Sequence, residues 1–249
     1  RMKISIITVC YNSGKTIEDT FKSVQSQSYK DIEYIVIDGG SKDNTLELIN
    51  QYKEIIDYTV SEKDKGLYDA MNKGIEKATG DVIGFLNSDD LFCDDMAVEK
   101  VMNVFNENSK IDSVYADIYY VDQNNTDKIV RKWITGKQKT FKKGWHPAHP
   151  TLYIKKKVYN QYGGFNLKFK LASDFEIMLR FIEKYKISTI YLPEPLIKMR
   201  LGGETNKSVE NIFRQNKECI KAFKDNDLKV NSVMYPFYRI IPKFFQFLK

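Results

Sequence analysis

Four short apolar runs in the first 86 residues, separated by stretches of helical periodicity, constrain this chain more than any other feature. "KISIITVCY", "IEYIVID", "IIDYTVSE" and "DVIGFL" read as strands whose apolar residues run on with little alternation, the pattern of strands covered on both faces. Between them, Ile17, Phe21 and Val24 recur at helical spacing. Thr45, Leu48, Ile49 and Tyr52 do so again, with Ser41 as the cap. Leu67, Ala70, Met71, Gly74, Ile75 and Ala78 mark a third helical face that stops at Gly80. Strand and helix in alternation predict a parallel sheet with right-handed crossovers.

The second half is less regular. "IDSVYADIYYVD" reads as a further strand, "SDFEIMLRFIEKY" as a helix and "ISTIYLPEPLIKMR" as a late strand punctuated by proline. Residues 206–225 suggest a helix, and the tail "YPFYRIIPKFFQFLK" is aromatic and basic. No repeat or low-complexity linker interrupts the chain. The expected fold class is therefore α/β: one domain with a Rossmann-like, mostly parallel central sheet flanked by helices, and a C-terminal helical extension.

Composition narrows the function classes. No segment approaches the ~18–20 consecutive apolar residues of a membrane span. Tyr11, Asn12 and Gly14 follow the first apolar run where a signal peptide would carry a small-residue cleavage site. Cys10, Cys93 and Cys219 are odd in number and far apart, which points to a reducing, cytoplasmic compartment. Two histidines and no paired cysteines argue against zinc. The net charge of +6 favours anionic partners such as nucleotides or phospholipid surfaces, and is too diffuse to signal nucleic-acid binding.

In open parallel sheets, ligands bind at the carboxyl ends of the strands. Here strand one ends at Thr8, Tyr11 and Asn12, strand two at Asp38, and strand four runs into Ser88, Asp89 and Asp90. A single loop aspartate usually caps a turn; convergence of several is harder to explain that way. Two adjacent carboxylates repel each other. The chain has neither a GxxxxGK[ST] loop nor a GxGxxG turn to hold phosphate. A divalent cation, Mn²⁺ or Mg²⁺, would join such carboxylates to a diphosphate.

"SIITVCYNS", "IDGGSKDNT", "KGLYDAMNKGIEKATGDVIGFLNSDD" and "GGFNLKFKLASDFEIMLRF" together resemble the family 2 glycosyltransferases of GT-A fold, and within them bacterial enzymes of capsule, O-antigen and exopolysaccharide assembly. The resemblance implies an inverting, metal-dependent hexosyl- or N-acetylhexosaminyltransferase. Its donor would be a nucleotide sugar, usually a UDP-α-sugar, and its acceptor a glycan or a polyprenyl-diphosphate-linked sugar. It implies donor contacts from Thr8, Tyr11 and Asn12, with Asp38 on the nucleobase. Lys65, Asp69 and Asn72 would line the diphosphate and sugar, and Arg200 would stand near the phosphates. Ser88-Asp89-Asp90 matches the family's "DxD", with Ser88 at its first Asp position. Asp90 would then bind metal and Asp89 the ribose or donor sugar. Asp174 matches the catalytic base, and Trp145 and His149 would shape the acceptor pocket. As a cap, Ser173-Asp174 would also suit a helix start.

The expected division is residues 1–205 as the glycosyltransferase unit, with 1–100 for the nucleotide sugar and 101–205 for the acceptor, and 206–249 as the extension. The tail has two readings. It lies peripherally on the inner face of the cytoplasmic membrane, or it packs across the core or a homodimer partner. Pro236 and Pro242 are expected to break it as a single helix. Two rival functions stand beside the first: a nucleotidyltransferase that makes a nucleotide sugar, and a non-catalytic sugar- or nucleotide-binding domain. The first of these normally has a glycine-rich loop with Arg and Lys after strand one, which "YNSGKT" lacks.

Overall fold

The computed structural model describes residues 2–202 and 209–245. Strands β1 (Ile4–Cys10), β2 (Ile32–Asp38), β3 (Tyr58–Ser61) and β4 (Val82–Phe85) form a parallel block in the order β3-β2-β1-β4. Beyond β4 the sheet turns mixed. β5 (Leu91–Phe92), β6 (Ser113–Val121), β7 (Ile129–Trp133), β8 (Tyr153–Lys155) and β9 (Thr189–Arg200) continue it in the order β4-β8-β6-β9-β5, and β7 pairs back on β6. Of these contacts only β6–β9 is parallel. The parallel block is the part that the alternating pattern predicts.

Period two along β1 and β2 divides the core into two layers. Ile6, Tyr34 and Val36 face α1 (Ile17–Gln25), α2 (Thr45–Gln51) and α4 (Ala97–Glu107). Ile7, Val9, Ile35 and Ile37 face α3 (Leu67–Lys77), α5 (Lys156–Tyr162), α6 (Ser173–Met178) and α7 (Val209–Asp225). Burial of each such isoleucine contributes about 1.5–3 kcal/mol. Gly74 lets α3 approach β1, since a Cβ there would stand 2.4 Å from Cγ2 of Ile7.

Several local expectations change. Ser41 does not cap α2, which starts after Asn44; its hydroxyl is committed to Asp38. The third strand is shortened, because Lys53–Ile55 forms a 3₁₀ turn ahead of it. The helix at Ser173 runs as α only to Met178 and widens to a π-helical turn over Leu179–Lys184. β9 carries Pro193 and Pro195, and its register with β6 shifts on either side of the Asp117–Pro195 pair. The helix expected over 206–225 is described from Val209, and residues 206–208 lie outside the described residues. Within the described residues the tail forms one helix, α8 (Tyr235–Phe245), and is not broken; residues 246–249 lie outside the described residues. Pro236 sits in its first turn, where a missing N–H leaves no intrahelical bond unmade. Pro242 lies within the last turn described.

Candidate active site at the carboxyl edge of the sheet

Parallel pairing brings the ends of β1, β2, β3 and β4 to one edge, and the loops leaving them are laced together. Asn12, at φ 49°, donates its N–H to Ser41 Oγ (2.8 Å) and accepts from Lys42 N–H (2.8 Å) at Oδ1. Ser13 N–H donates to Thr45 Oγ1 at 2.9 Å. Tyr11 is left 63% exposed above this lattice.

Asp38 is fully buried at the heart of the second loop. Its carboxylate accepts from the N–H groups of Gly40 (3.0 Å) and Ser41 (2.9 Å), from Ser61 Oγ (2.6 Å) and from Ser41 Oγ. Burial raises its pKa, but these donors outweigh burial and hold the carboxyl below its ordinary value. Asp38 thus shapes the loop.

The Asn87–Asp90 turn leaves β4 and is gripped from two sides. From the α1 side, Thr16 Oγ1 donates to the Ser88 carbonyl (2.9 Å), Thr20 Oγ1 to the Asp90 carbonyl (2.8 Å), and Ser13 Oγ shares a bond with Ser88 Oγ (2.8 Å). From the end of β9, Arg200 donates to the Asp89 carbonyl (2.7 Å), to Asp19 Oδ2 (2.6 Å) and to the Gln123 carbonyl (3.2 Å). Arg200 therefore clamps the turn that would meet the phosphates.

Asp89 is partly exposed, whereas Asp90 has no exposed surface. Burial, with Asp89 beside it, pushes the Asp90 carboxyl well above the carboxylate range. Asn87 Nδ2 donates to its Oδ2 at 3.2 Å, and its Oδ1 has no hydrogen-bond partner. A buried carboxylate oxygen left bare is costly, and a cation would satisfy it. Two carboxylates with one bare oxygen fit a hard divalent cation whose other ligands come from a diphosphate. Among the described residues no group of three or more His, Cys, Asp or Glu could hold a metal by itself.

Other expected donor residues also make bonds within the protein. Thr8 is buried and bonds the Leu86 carbonyl (2.7 Å) and Tyr34 (2.9 Å) beneath the edge. Asn72 spends its amide on the backbone of Phe165, donating at 2.9 Å and accepting at 2.8 Å. Asp69 accepts from Lys65 N–H at 2.9 Å and so caps the start of α3, which leaves the Lys65 side chain exposed at the edge.

The first turn of α3 leads to the second group. Tyr68 donates to Asp174 Oδ1 at 3.2 Å, and Asp174 also accepts from Phe175 N–H at 2.8 Å in the first turn of α6. Burial and the Asp174 charge both raise the Tyr68 pKa, so it remains a donor. His149 sits between the rings of Phe85 (5.7 Å) and Phe165 (5.6 Å). Burial lowers the His149 pKa, against the pull of Asp174. Trp145 packs edge-on against Tyr115 (5.7 Å) and Phe141 (5.6 Å), its indole N–H on the Thr135 carbonyl at 2.9 Å.

Three residues here escaped the sequence reading. Tyr68 was hidden inside an apolar helical face. Asp64, paired with Lys73 at 2.5 Å, borders Gly39 together with the Tyr11 ring. Glu218 of α7 accepts the N–H groups of Lys170, Leu171 and Ala172 at 2.8–3.0 Å, holding the loop that delivers Asp174. No local pattern announces such a long-range cap.

Comparison with known proteins gives concordant results. The family described as "Glycosyl transferase family 2" matches residues 5–172. An uncharacterised glycosyltransferase of Mycobacterium tuberculosis is 31% identical over 186 residues, spanning 71% of this chain and 68% of that protein. A PGL/p-HBAD biosynthesis glycosyltransferase of Mycobacterium bovis is 24% identical, over 84% of this chain and 81% of its own. Among solved structures, Staphylococcus aureus TarS 1–349 in complex with UDP superposes with a TM-score of 0.65 at 16% identity, over 99% of this chain and 71% of TarS. The mannosyltransferase PcManGT of Pyrobaculum calidifontis, in complex with GDP-Man and Mn²⁺, gives 0.68 at 16% identity, over 96% of this chain and 68% of its own. These likenesses establish the GT-A fold.

Proposed function

The chain belongs to glycosyl transferase family 2, and from that premise we propose that it transfers a sugar from a UDP-α-sugar to a hydroxyl of a glycan or polyprenyl-diphosphate-linked acceptor, with inversion. Relatives named for PGL/p-HBAD biosynthesis and, over 45% of this chain and 27% of its own, a poly-β-1,6-N-acetyl-D-glucosamine synthase support an acceptor of this class. The observation that carries the reading is that the end of β4 serves two groups: the Asp89–Asp90 turn leaves it, gripped by Arg200, and its Phe85 packs against His149, which feels the charge of the Asp174 held by Tyr68.

In this reading Asp174 takes the proton of the acceptor hydroxyl as that oxygen attacks the anomeric carbon and the bond to the diphosphate breaks. No covalent intermediate is needed. Tyr68 and the Phe175 N–H orient the carboxylate. Tyr11, exposed over the first loop, offers a face for the nucleobase, while Asp38 and Asn12 set the loop that presents it. Asp90 would hold Mn²⁺ or Mg²⁺, which when bound offsets the charge of the departing diphosphate, and Asp89, expected on the ribose or donor sugar, stands beside it as a second carboxylate. Trp145 and His149 line the acceptor side with aromatic surface. Residues 1–100 carry the donor half, 101–205 the acceptor half and 206–249 an extension. Three free cysteines among the described residues support a reducing, cytoplasmic setting.

The test is thermal stability with UDP, GDP, dTDP and CMP, each with and without Mn²⁺, followed by a donor screen and the anomeric configuration of the product. A UDP shift that requires Mn²⁺ supports the reading; a ligand at 100 times its Kd stabilises the folded state by ~2.7 kcal/mol. A GDP or dTDP shift would keep the mechanism and change the donor. No shift with any nucleotide would sink the donor site.

A further inference from the structure

Helix α8 is turned the wrong way for a helix that ends at water. Its inward residues are Tyr235 and Arg239, with Arg239 donating to Asn216 of α7 at 2.8 Å. Its outward residues are Met234, Phe237, Tyr238 and Ile241, at the i, i+3, i+4, i+7 spacing of a single apolar stripe. Phe237 is 56% and Ile241 51% exposed; Val233 before the helix, and Ile212 and Phe213 on α7, are exposed beside it. Phe213 lies one turn before Asn216, the residue that meets Arg239. A guanidinium is thus drawn inside while large apolar side chains stand outside. Scattered exposed apolar residues are ordinary; a continuous stripe over two turns is not.

Charge says what covers it. Residues 209–249 hold eight Lys or Arg against four Asp or Glu, so most of the net +6 lies in this segment. No acidic residue follows Asp227. Exposed Lys142, Lys143, Arg214 and Lys217 flank the stripe. The 3₁₀ turn Phe141–Lys143 packs on α8, and Gly144 abuts the helix backbone so closely that a Cβ there would meet the Tyr238 carbonyl at 2.6 Å. An apolar stripe with a rim that is basic apart from Glu210 on α7, and with no acidic residue in α8 itself, suits a helix lying in an anionic lipid interface. A second copy of the chain would bring the same positive rim against itself.

We propose that the α8 stripe docks this protein flat on an anionic membrane surface, with Phe237 and Ile241 entering the headgroup boundary and Lys142 and Lys143 on its phosphates. Among the described residues no helix is long and apolar enough to cross a membrane. Trp145 follows Gly144 directly, and Tyr235 packs 6.2 Å from Phe175, the neighbour of Asp174. Docking therefore sets the acceptor wall beside the lipid surface. That consequence for the acceptor rests on the proposed function; the docking does not.

The experiment is flotation of the full chain with vesicles of phosphatidylcholine alone and of phosphatidylcholine with phosphatidylglycerol, at low and high salt. The wild type should float with the anionic vesicles and be released by salt. Phe237→Glu with Ile241→Glu should reduce partition by about tenfold or more, and Lys142→Gln with Lys143→Gln by about tenfold. Circular dichroism melting and the UDP–Mn²⁺ thermal shift of both variants should match the wild type, which separates failure here from failure of the donor site. Wild type that ignores anionic vesicles would overturn the proposal, as would a Glu pair that floats normally. A wild-type dimer that the Glu pair dissociates would assign the stripe to a second copy instead.

Discussion

The hydroxyl of Tyr68 lies 3.2 Å from Oδ1 of Asp174, although 106 positions separate them. This bond ties the acceptor side of the cleft to the helix that opens at the donor edge. Asp174→Asn should lower kcat by about 10²- to 10⁴-fold, the usual yield of general base catalysis, and leave the UDP thermal shift in place. Tyr68→Phe removes one orienting bond, worth about 1 kcal/mol, so kcat should fall by about fivefold. Near wild-type turnover in Asp174→Asn would remove Asp174 from the role of base.

Glu218 offers a separate check on how Asp174 is positioned. Its carboxylate holds three consecutive N–H groups two to four residues before Asp174. Hydrogen bonds to a charged acceptor contribute about 1.5–3 kcal/mol each. Glu218→Ala should lower both Tm and kcat while the donor KM stays level. A fall in Tm with kcat unchanged would leave Glu218 a purely structural cap.

Much of the donor half was legible because β1 to β4 obey simple periodicities, and parallel pairing then fixes which loops share an edge. What periodicity did not give there was the set of partners that each polar side chain already has within the protein. Thr8, Asp38 and Asn72 stand at the right place in the chain, yet their polar atoms are spent inside it. Sequence gives position along a strand; whether an oxygen is already satisfied depends on residues such as Ser61 and Phe165 that arrive from elsewhere. The acceptor half was less legible for a related reason. β8 is three residues long, β5 two, and β7 is largely exposed, so none carries a strong periodic signal. The course of α8 was misread because proline was weighed without its position in the helix.

Acid stability should follow Glu33 and Asp38. Burial raises both pKa values, but Ser5 and Thr79 around Glu33, and Ser41 and Ser61 around Asp38, outweigh it and hold each below its ordinary value of 4.5 or 3.8. The unfolded chain therefore binds these protons more readily than the native one. Their stabilisation is complete above the unfolded values and is lost as pH falls through the lower folded ones. Tm should stay level from about pH 7 to about pH 5 and drop below about pH 4. Glu33→Gln should lower Tm at neutral pH and flatten that acid limb. An acid limb of unchanged slope would show that Glu33 does not contribute.

The two aspartates of the β4 turn should differ in their effect on stability and agree in their effect on the metal response. Asp90 is sealed from water with one bare oxygen, so without metal a carboxyl there is costly to the fold in either protonation state. Asp90→Asn keeps the shape and the Oδ atom facing Asn87, and should raise the stability of the metal-free protein by about 1 kcal/mol. Asp89 is partly exposed, so Asp89→Ala should leave stability within about 0.5 kcal/mol. Both variants should lose the part of the UDP shift that depends on Mn²⁺, because each removes a ligand oxygen that a diphosphate cannot replace. Stabilisation with retained Mn²⁺ response in Asp90→Asn would leave Asp89 as the sole protein ligand. An unaltered Mn²⁺ response in both would take the metal away from this turn altogether.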